Sequence, residues 1–414
     1  MKNIILDKAN ICINCKNTPC KFGCPLGNDI PKFIHYVKEK NYEKAFFILS
    51  KTTILPAICG LICPQSLQCE KMCEKILGDN HVNIGKLEAF IGKYAIEHNY
   101  KIYSPKKTHH HVLVIGSGPA SLTCAAFLRR NGIKVTIYEK HDYLGGLLIH
   151  GIPDFRLSKK LVNKVINNII NLGIEISYNK ELGKDFNIED VVNQYDAIFI
   201  GIGSNISNNL NIIGEELKNV YSANELLEEN MNLDVANKKV IVYGGGNTAI
   251  DIARTLKKLG ANVTIIYRKD KKHLSAFKDE YEDCVNDKIK FIFKTNVLNI
   301  IGKDKVEKLE VVKTKLEKVD GKEILQNIDN SNYFINCDYF IKAIGSHIDT
   351  NIIKKLNLNL SENNKIDIDG NGQTSNEKVF SGGDVAGIKS TVSWAARSGR
   401  NAALAIINYL ENKE

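Results

Sequence analysis

The sequence predicts an α+α/β protein: a small helical domain followed by two Rossmann-like domains, the second inserted into the first. Three observations predict it. Eight of the eleven cysteines lie before residue 74; a strand, a glycine turn and a helix follow one another twice, from His111 and from Lys239; and a further strand and glycine turn near residue 380 leads into a long helix. The predicted bounds are 1–108 for the helical domain, 109–236 and 340–414 for the two parts of the first Rossmann-like domain, and 237–339 for the inserted one.

A chain of 414 residues that is 43% hydrophobic holds two or three cored domains. No apolar run reaches the roughly eighteen residues of a membrane helix, and Ile4-Ile5-Leu6 after Met1 is too short for a signal-peptide core. A cytoplasmic protein without a membrane partner is expected. The formal net charge is +9, and most of it is local: residues 1–108 hold 16 Lys and no Arg against 9 Asp and Glu. One Trp and no basic-aromatic tract argue against nucleic acid as a partner, so the first hundred residues are expected to carry something negative.

The cysteines supply it. They form two tetrads, Cys12-x2-Cys15-x4-Cys20-x3-Cys24-Pro25 and Cys59-x3-Cys63-Pro64-x4-Cys69-x3-Cys73. In a reducing compartment dense cysteines bind metal rather than pair as disulfides. Zinc would explain either tetrad, but zinc sites come as two short knuckles, whereas three thiolates from one loop, a fourth ligand from elsewhere and a stiffening Pro suit a 4Fe-4S cluster. Two clusters are expected, their negative charge offset by the lysines. Between the tetrads, residues 30–37 and 42–49 place apolar side chains at i, i+3 and i+4, as two helices that frame the clusters.

His111–Ile115 reads as a buried parallel strand, Gly116-Ser117-Gly118-Pro119-Ala120-Ser121 as a turn and the following residues to Arg130 as a helix. A second strand, Lys134–Tyr138, ends at Glu139. The glycines admit a pyrophosphate to the helix N-terminus, and the carboxylate accepts from ribose hydroxyls. Ser121 stands where a third small residue packs helix on strand. The pattern recurs at Lys239–Tyr243, Gly244-Gly245-Gly246-Asn247-Thr248-Ala249 and Asn262–Tyr267, but ends at Arg268-Lys269, which suits a 2′-phosphate and favours NADPH over NADH. Gly382-Gly383-Asp384 follows the third strand, and a helix begins near Thr391; in a dinucleotide enzyme that arrangement lets Asp384 bind a ribityl hydroxyl while the helix N-terminus faces a flavin ring. The Asn-rich stretches 205–211 and 351–364 read as surface loops. Cys124, Cys284 and Cys337 read as packed thiols, and no redox Cys-x-x-Cys adjoins either turn.

These motifs, with Cys24-Pro25-Leu26-Gly27-Asn28-Asp29-Ile30-Pro31, Gly145-Gly146-Leu147-Leu148, Gly151-Ile152-Pro153-x-Phe155-Arg156-Leu157 and Tyr221-Ser222-Ala223-Asn224-Glu225, resemble the small (beta) subunit of NADPH-dependent glutamate synthase and its relatives, which include the amino-terminal half of dihydropyrimidine dehydrogenase. The resemblance spans essentially the whole chain. It implies that Cys12, Cys15, Cys20 and Cys73 hold one cluster, and that Cys24, Cys63 and Cys69 hold the other, completed by Glu88 or alternatively by Cys59. For FAD it implies Gly116, Gly118, Ser121, Glu139, Gly146, Leu147, Arg156, Asp384 and Thr391. For the nicotinamide cofactor it implies Gly245, Gly246, Asn247, Thr248, Arg268 and Lys269. No catalytic acid, base or nucleophile is expected, since stacking the two rings positions the hydride.

The function so implied is electron input: NADPH to FAD, then through two 4Fe-4S clusters to a large glutamate synthase subunit. The alternative is the same module serving a dihydropyrimidine dehydrogenase partner, or a ferredoxin in a transhydrogenase complex. A reading of a different class is a zinc-containing regulatory protein that binds nucleotides.

Overall fold

A computed structural model describes residues 2–75, 81–100, 107–204, 206–228 and 233–413; Met1 and Asn205, each part of a reading above, lie outside the described residues. The helical domain contains α1 (Ile30–Lys38), α2 (Tyr42–Ser50), α3 (Pro56–Ile62) and α4 (Ile84–Glu97). The expected periodicity is what they bury: Phe33, Ile34 and Val37 of α1 and Ala45 and Leu49 of α2 are fully enclosed. Pro31 sits in the first turn of α1, where its missing N–H costs nothing. Asn41 caps α2 by accepting from Lys44 N at 3.1 Å.

Helices α3 and α4 meet almost backbone to backbone. A Cβ on Gly60 would stand 2.3 Å from Ala89 N, and one on Gly92 would stand 2.2 Å from Ala57 N. That approach sets Cys59 and Cys63, at the end of α3, beside Glu88 of α4.

The remaining elements used below are β1 (His111–Ile115), α5 (Pro119–Arg130), β2 (Lys134–Tyr138), β3 (Glu175–Ser177), β4 (Ala197–Ile200), β5 (Val220–Ser222), β6 (Lys239–Tyr243), α6 (Asn247–Lys258), β7 (Asn262–Tyr267), β8 (Lys290–Phe293), β9 (Tyr339–Lys342), β10 (Val379–Ser381) and α7 (Val392–Glu411). The chain divides into two compact units: Met1–Ile149 with Asp154–Ser204 and Ile348–Glu414, and His150–Pro153 with Asn205–His347.

The first unit holds the helical domain and a parallel sheet in the order β10-β4-β1-β2-β3. Its apolar strands are buried on both faces, as crossover helices require. The second unit holds a parallel sheet in the order β5-β9-β6-β7-β8. In each sheet the order reverses beside the strand that carries the glycine turn, at β1/β4 and at β6/β9, and the carboxyl ends there open a crevice. Strands 295–301, 308–319, 322–327 and 333–336 add an antiparallel sheet to the second unit.

The two Asn-rich stretches are not simple loops. Ile206 and Ser207 pair with Ser346 and His347, and Thr350–Lys355 is a helix that leads to buried Leu356. Apolar residues spaced through the polar background supply the driving force. Among the described residues no helix is long and apolar enough to cross a membrane. Cys124, Cys284 and Cys337 are all buried.

Replacing Gly92 by Ala is expected to destabilise the chain by about 1–3 kcal/mol, because the crowded neighbour is backbone and cannot swing aside. That loss outweighs the gain of roughly 1 kcal/mol in helix propensity. Chemical unfolding of Gly92→Ala against Lys86→Ala, on the exposed face of the same helix, measures it.

Candidate functional site

The cysteines of the helical domain gather as two sets. Cys12, Cys15, Cys20 and Cys73 line one small hollow of about 20 Å³, walled by Ile34 and Ile84. Burial pushes the Cys15 thiol up to about 11 and the Cys20 thiol up to about 12. The second set joins Cys24, Cys63, Cys69 and Glu88. Burial, and then the Glu88 carboxylate, pushes the Cys24 thiol up to about 11, and the same two causes raise Cys69 further.

Glu88 is only 6% exposed, an unusual place for a carboxylate that has no cation against it among the described residues. Asn28 Nδ2 donates to its Oε1 at 3.1 Å, and Thr52 Oγ1 donates to Asn28 Oδ1 at 2.6 Å, which fixes the amide. Burial and the nearby Cys63 sulfur hold the Glu88 carboxyl well above the usual range. Cys59 is enclosed beside them, and its closeness to Cys63, together with burial, holds its thiol well above the usual range. Among the described residues no three His, Cys, Asp or Glu side chains are gathered tightly enough for a single metal ion. Soft thiolates around a hollow match the donor chemistry of an iron-sulfur cluster.

The first glycine turn follows β1. Gly116 takes φ +91°, a conformation that favours glycine. Gly118 begins α5, and among the described residues beyond its chain neighbours nothing comes within 4 Å of where its Cβ would stand. Gly146 faces it, close enough that its own Cβ would meet Gly118 Cα at 3.3 Å. The bareness of Gly118 is therefore not demanded by the protein, and a phosphate at the α5 N-terminus fits the space.

Glu139, at the end of β2, is buried and accepts from Ser117 Oγ at 2.5 Å and from His141 N at 3.0 Å. Ser117 Oγ in turn accepts from Gly145 N at 3.0 Å. Ser117 thus ties both glycine segments to the acidic residue, a role that the spacing of glycines does not reveal. Ser121 is enclosed and donates to Gly201 O at 3.3 Å, packing α5 on the strand end. Arg156 is half-buried and Leu147 is exposed. Burial raises the Asp384 carboxyl, opposed by Ser390 and Lys365. Thr391 caps α7, its hydroxyl accepting from Trp394 N at 3.4 Å.

The second turn opens on a cleft of about 710 Å³ in the second unit, with Gly245, Gly246, Thr248, Arg268 and Lys269 on its wall. Gly246 begins α6, and the nearest atom to a Cβ there would be Ser275 Oγ at 3.4 Å, so this turn also leaves room for a phosphate. Gly245 has a different reason to be bare: the Tyr267 ring would lie 2.3 Å from its Cβ. Asn247 Oδ1 accepts from Phe277 N at 2.9 Å, holding the 275–277 loop at the start of α6. Thr314 Oγ1 donates to Arg268 O at 2.6 Å and fixes that strand end. Lys342, paired with Glu215 at 2.6 Å, also lines the cleft and is not marked by any motif. Its position at the carboxyl end of β9, beside the point where strand order reverses, is the signal that finds it.

The family described as "Pyridine nucleotide-disulphide oxidoreductase" matches residues 110–399, and the one described as "Dihydroprymidine dehydrogenase domain II, 4Fe-4S cluster" matches residues 1–100. The chain is 32% identical over 426 residues to a glutamate synthase [NADPH] small chain of Halomonas elongata, covering 98% of this chain and 90% of that one. It is 28% identical over 413 residues to the NAD-dependent dihydropyrimidine dehydrogenase subunit PreT of Salmonella typhimurium, covering 99% and 95%. The structure of Mycobacterium tuberculosis FprA in complex with NADPH shares the fold at a TM-score of 0.65 and 16% identity, over 74% of this chain and 85% of that one. With two glycine turns that follow a cysteine-bearing helical domain in the sequence, and this likeness over nearly its whole length, the chain belongs to the glutamate synthase small-chain family of the pyridine nucleotide-disulphide oxidoreductases and is an NAD(P)H-dependent oxidoreductase with an amino-terminal 4Fe-4S domain.

Proposed function

We propose that the chain is an electron-input subunit that binds NADPH in the second unit, FAD in the first and two 4Fe-4S clusters in the helical domain, and serves a large partner subunit of the glutamate synthase kind. When bound, FAD supplies the exchange between the two-electron hydride of a nicotinamide and the one-electron chemistry of a cluster. The observation that carries this reading is Arg400. It extends from α7, the helix expected to face the flavin, and its Nη1 donates to Leu26 O at 2.7 Å and to Thr52 O at 2.9 Å in the cysteine domain. Arg130 of α5 adds a bond to Ser50 O at 2.5 Å. The two helices of the first glycine turn's domain are therefore fastened to the cysteine-bearing domain, the arrangement that electron transfer over a short, fixed distance needs.

In this reading Gly118 and Gly246 admit the pyrophosphates, Glu139 takes the FAD ribose, Asp384 the ribityl chain and Thr391 fixes the end of α7. Arg268 and Lys269 face a 2′-phosphate. Cys12, Cys15, Cys20 and Cys73 hold one cluster; Cys24, Cys63, Cys69 and Glu88 hold the other, and Cys59 stays a thiol beside Cys63. The relatives' designation as small chains supports a larger partner. The Salmonella relative supports a second reading, in which the same module serves a dihydropyrimidine dehydrogenase partner.

Anaerobic purification from the native host tests the whole. A brown protein with flavin absorbance, about eight irons per chain and bleaching by NADPH is expected, co-eluting with a large subunit that forms glutamate from glutamine and 2-oxoglutarate. A colourless zinc protein overturns the reading; a dihydropyrimidine-reducing partner moves it to the second. Arg268→Ala is expected to raise the KM for NADPH by roughly 10–100-fold, the worth of a charged hydrogen bond, and that for NADH little. Equal losses remove the phosphate contact. Glu88→Ala is expected to lose one cluster's iron and electron paramagnetic resonance signal while Cys59→Ala keeps both; the reverse pattern makes Cys59 the ligand.

A further inference from the structure

We infer that Lys342 is a cofactor-binding residue of the second unit, its ammonium donating to the ribose on the nicotinamide side of NADPH. The inference rests on the assignment of NADPH to that unit and deepens it. Strand order gives the direction. β6 is flanked by β7 on one side and by β9 on the other, and Lys342 pairs in register with Tyr243, the residue before the glycine turn. A dinucleotide whose pyrophosphate rests on that turn lays its adenosine half across the end of β7, where Arg268 and Lys269 stand, and its other half across the end of β9. Adjacent strands lie roughly 5 Å apart, within the reach of a lysine.

Lys342 is only 9% exposed and still lines the cleft. Its Nζ donates to Glu215 Oε1 at 2.6 Å and to Asn209 Oδ1 at 3.3 Å. An ammonium carries three N–H groups, and among the described residues Lys342 has these two partners alone, so one donor is left for the cleft. Glu215 is itself anchored: Leu210 N donates to Oε1 and Asn211 N to Oε2, both at 2.8 Å. The Asn-rich stretch that supplies these groups is tied to the chain leaving β9, since Asn208 N donates to Gly345 O and Asn208 Nδ2 to Ile344 O, both at 3.1 Å. Asparagines that read as a surface loop thus build the wall of the cleft on the β9 side.

A buried ion pair adds little stability over an apolar pair of the same size, so stability alone is a weak reason for one at the rim of a nucleotide cleft. The pairing also selects the acceptor. With Glu215 beside it, Lys342 belongs to a neutral pair; a phosphate brought to the ammonium meets the carboxylate as well, whereas a ribose hydroxyl accepts the free N–H without adding a charge. Arg268 and Lys269, which have no printed carboxylate against them, suit the phosphate at the other end.

The test is isothermal titration of the intact oxidised holoprotein with three ligands: NADP+, 2′-phospho-ADP-ribose, which lacks only the nicotinamide ring, and 2′,5′-ADP, which ends at the first phosphate. Lys342→Met is expected to weaken the first two about ten-fold each, the loss of one hydrogen bond from a charged group, and to leave the third unchanged. Lys342→Met combined with Glu215→Gln, which leaves no charge buried alone, is expected to give the same pattern and decides the matter if the single variant does not fold. An equal loss for all three ligands makes Lys342 a support of the cleft's shape and overturns the inference; so do a loss confined to NADP+, which moves the contact to the nicotinamide ring, and no loss at all. A native protein that binds none of the three overturns the assignment of NADPH to the second unit, and the inference with it.

Discussion

Helix α7 can approach α5 as it does because Gly399 has no side chain: a Cβ there would stand 2.0 Å from Ala120 O. Much of the first unit's working geometry depends on that contact. It sets Gly399 of α7 against Ala120 in the first turn of α5, just after the glycine turn, and one residue further it brings Arg400 to the carbonyls of Leu26 and Thr52. The same helix thus borders a nucleotide crevice, completes a core and holds the cysteine domain. The same solution, small residues where backbones must touch, recurs at Gly60 and Gly92, where it brings a carboxylate to a group of thiols.

The two glycine turns show how one scaffold separates two ligands. Both follow a buried strand, both begin a helix with a bare glycine, and both lie where strand order reverses. They differ at the end of the next strand. The first ends in Glu139, buried and held by Ser117; the second ends in Arg268 and Lys269 on the wall of an open cleft. In the proposed reading, a change of charge at one topologically equivalent position selects between a ribose diol and a phosphate without altering the fold.

What could be read in the sequence follows from range. Strands and helices around the glycine turns are local, apolar and periodic, and the structure has them where the pattern puts them. The thiol spacing likewise reports a local loop. The polar contacts that arrange the cysteine domain join residues far apart: Asn28 to Glu88, Gln68 to Ser393. No spacing rule reaches across such separations. The antiparallel strands between residues 295 and 336 are hard to read because the alternation of buried Leu309 and Val311 with polar Lys308 and Glu310 is broken at once by buried Val312. The helix at 350–355 is hidden among asparagines.

The order in which this chain can fold follows from where β10 and α7 lie. Strand β10 pairs with β4, a partner nearly the whole second unit earlier in the sequence. During synthesis the helical domain and strands β1–β4 emerge first, but their sheet lacks its last strand and the cysteine domain lacks Arg400. The second unit, whose sheet closes within Asn205–His347, can form before either. The first unit then closes over a long-range pairing, the slow kind. Until it does, the thiols, the first glycine turn and the brace cannot be assembled together, and under the proposed reading insertion of iron and flavin waits on that closure while the second unit is already free to fold.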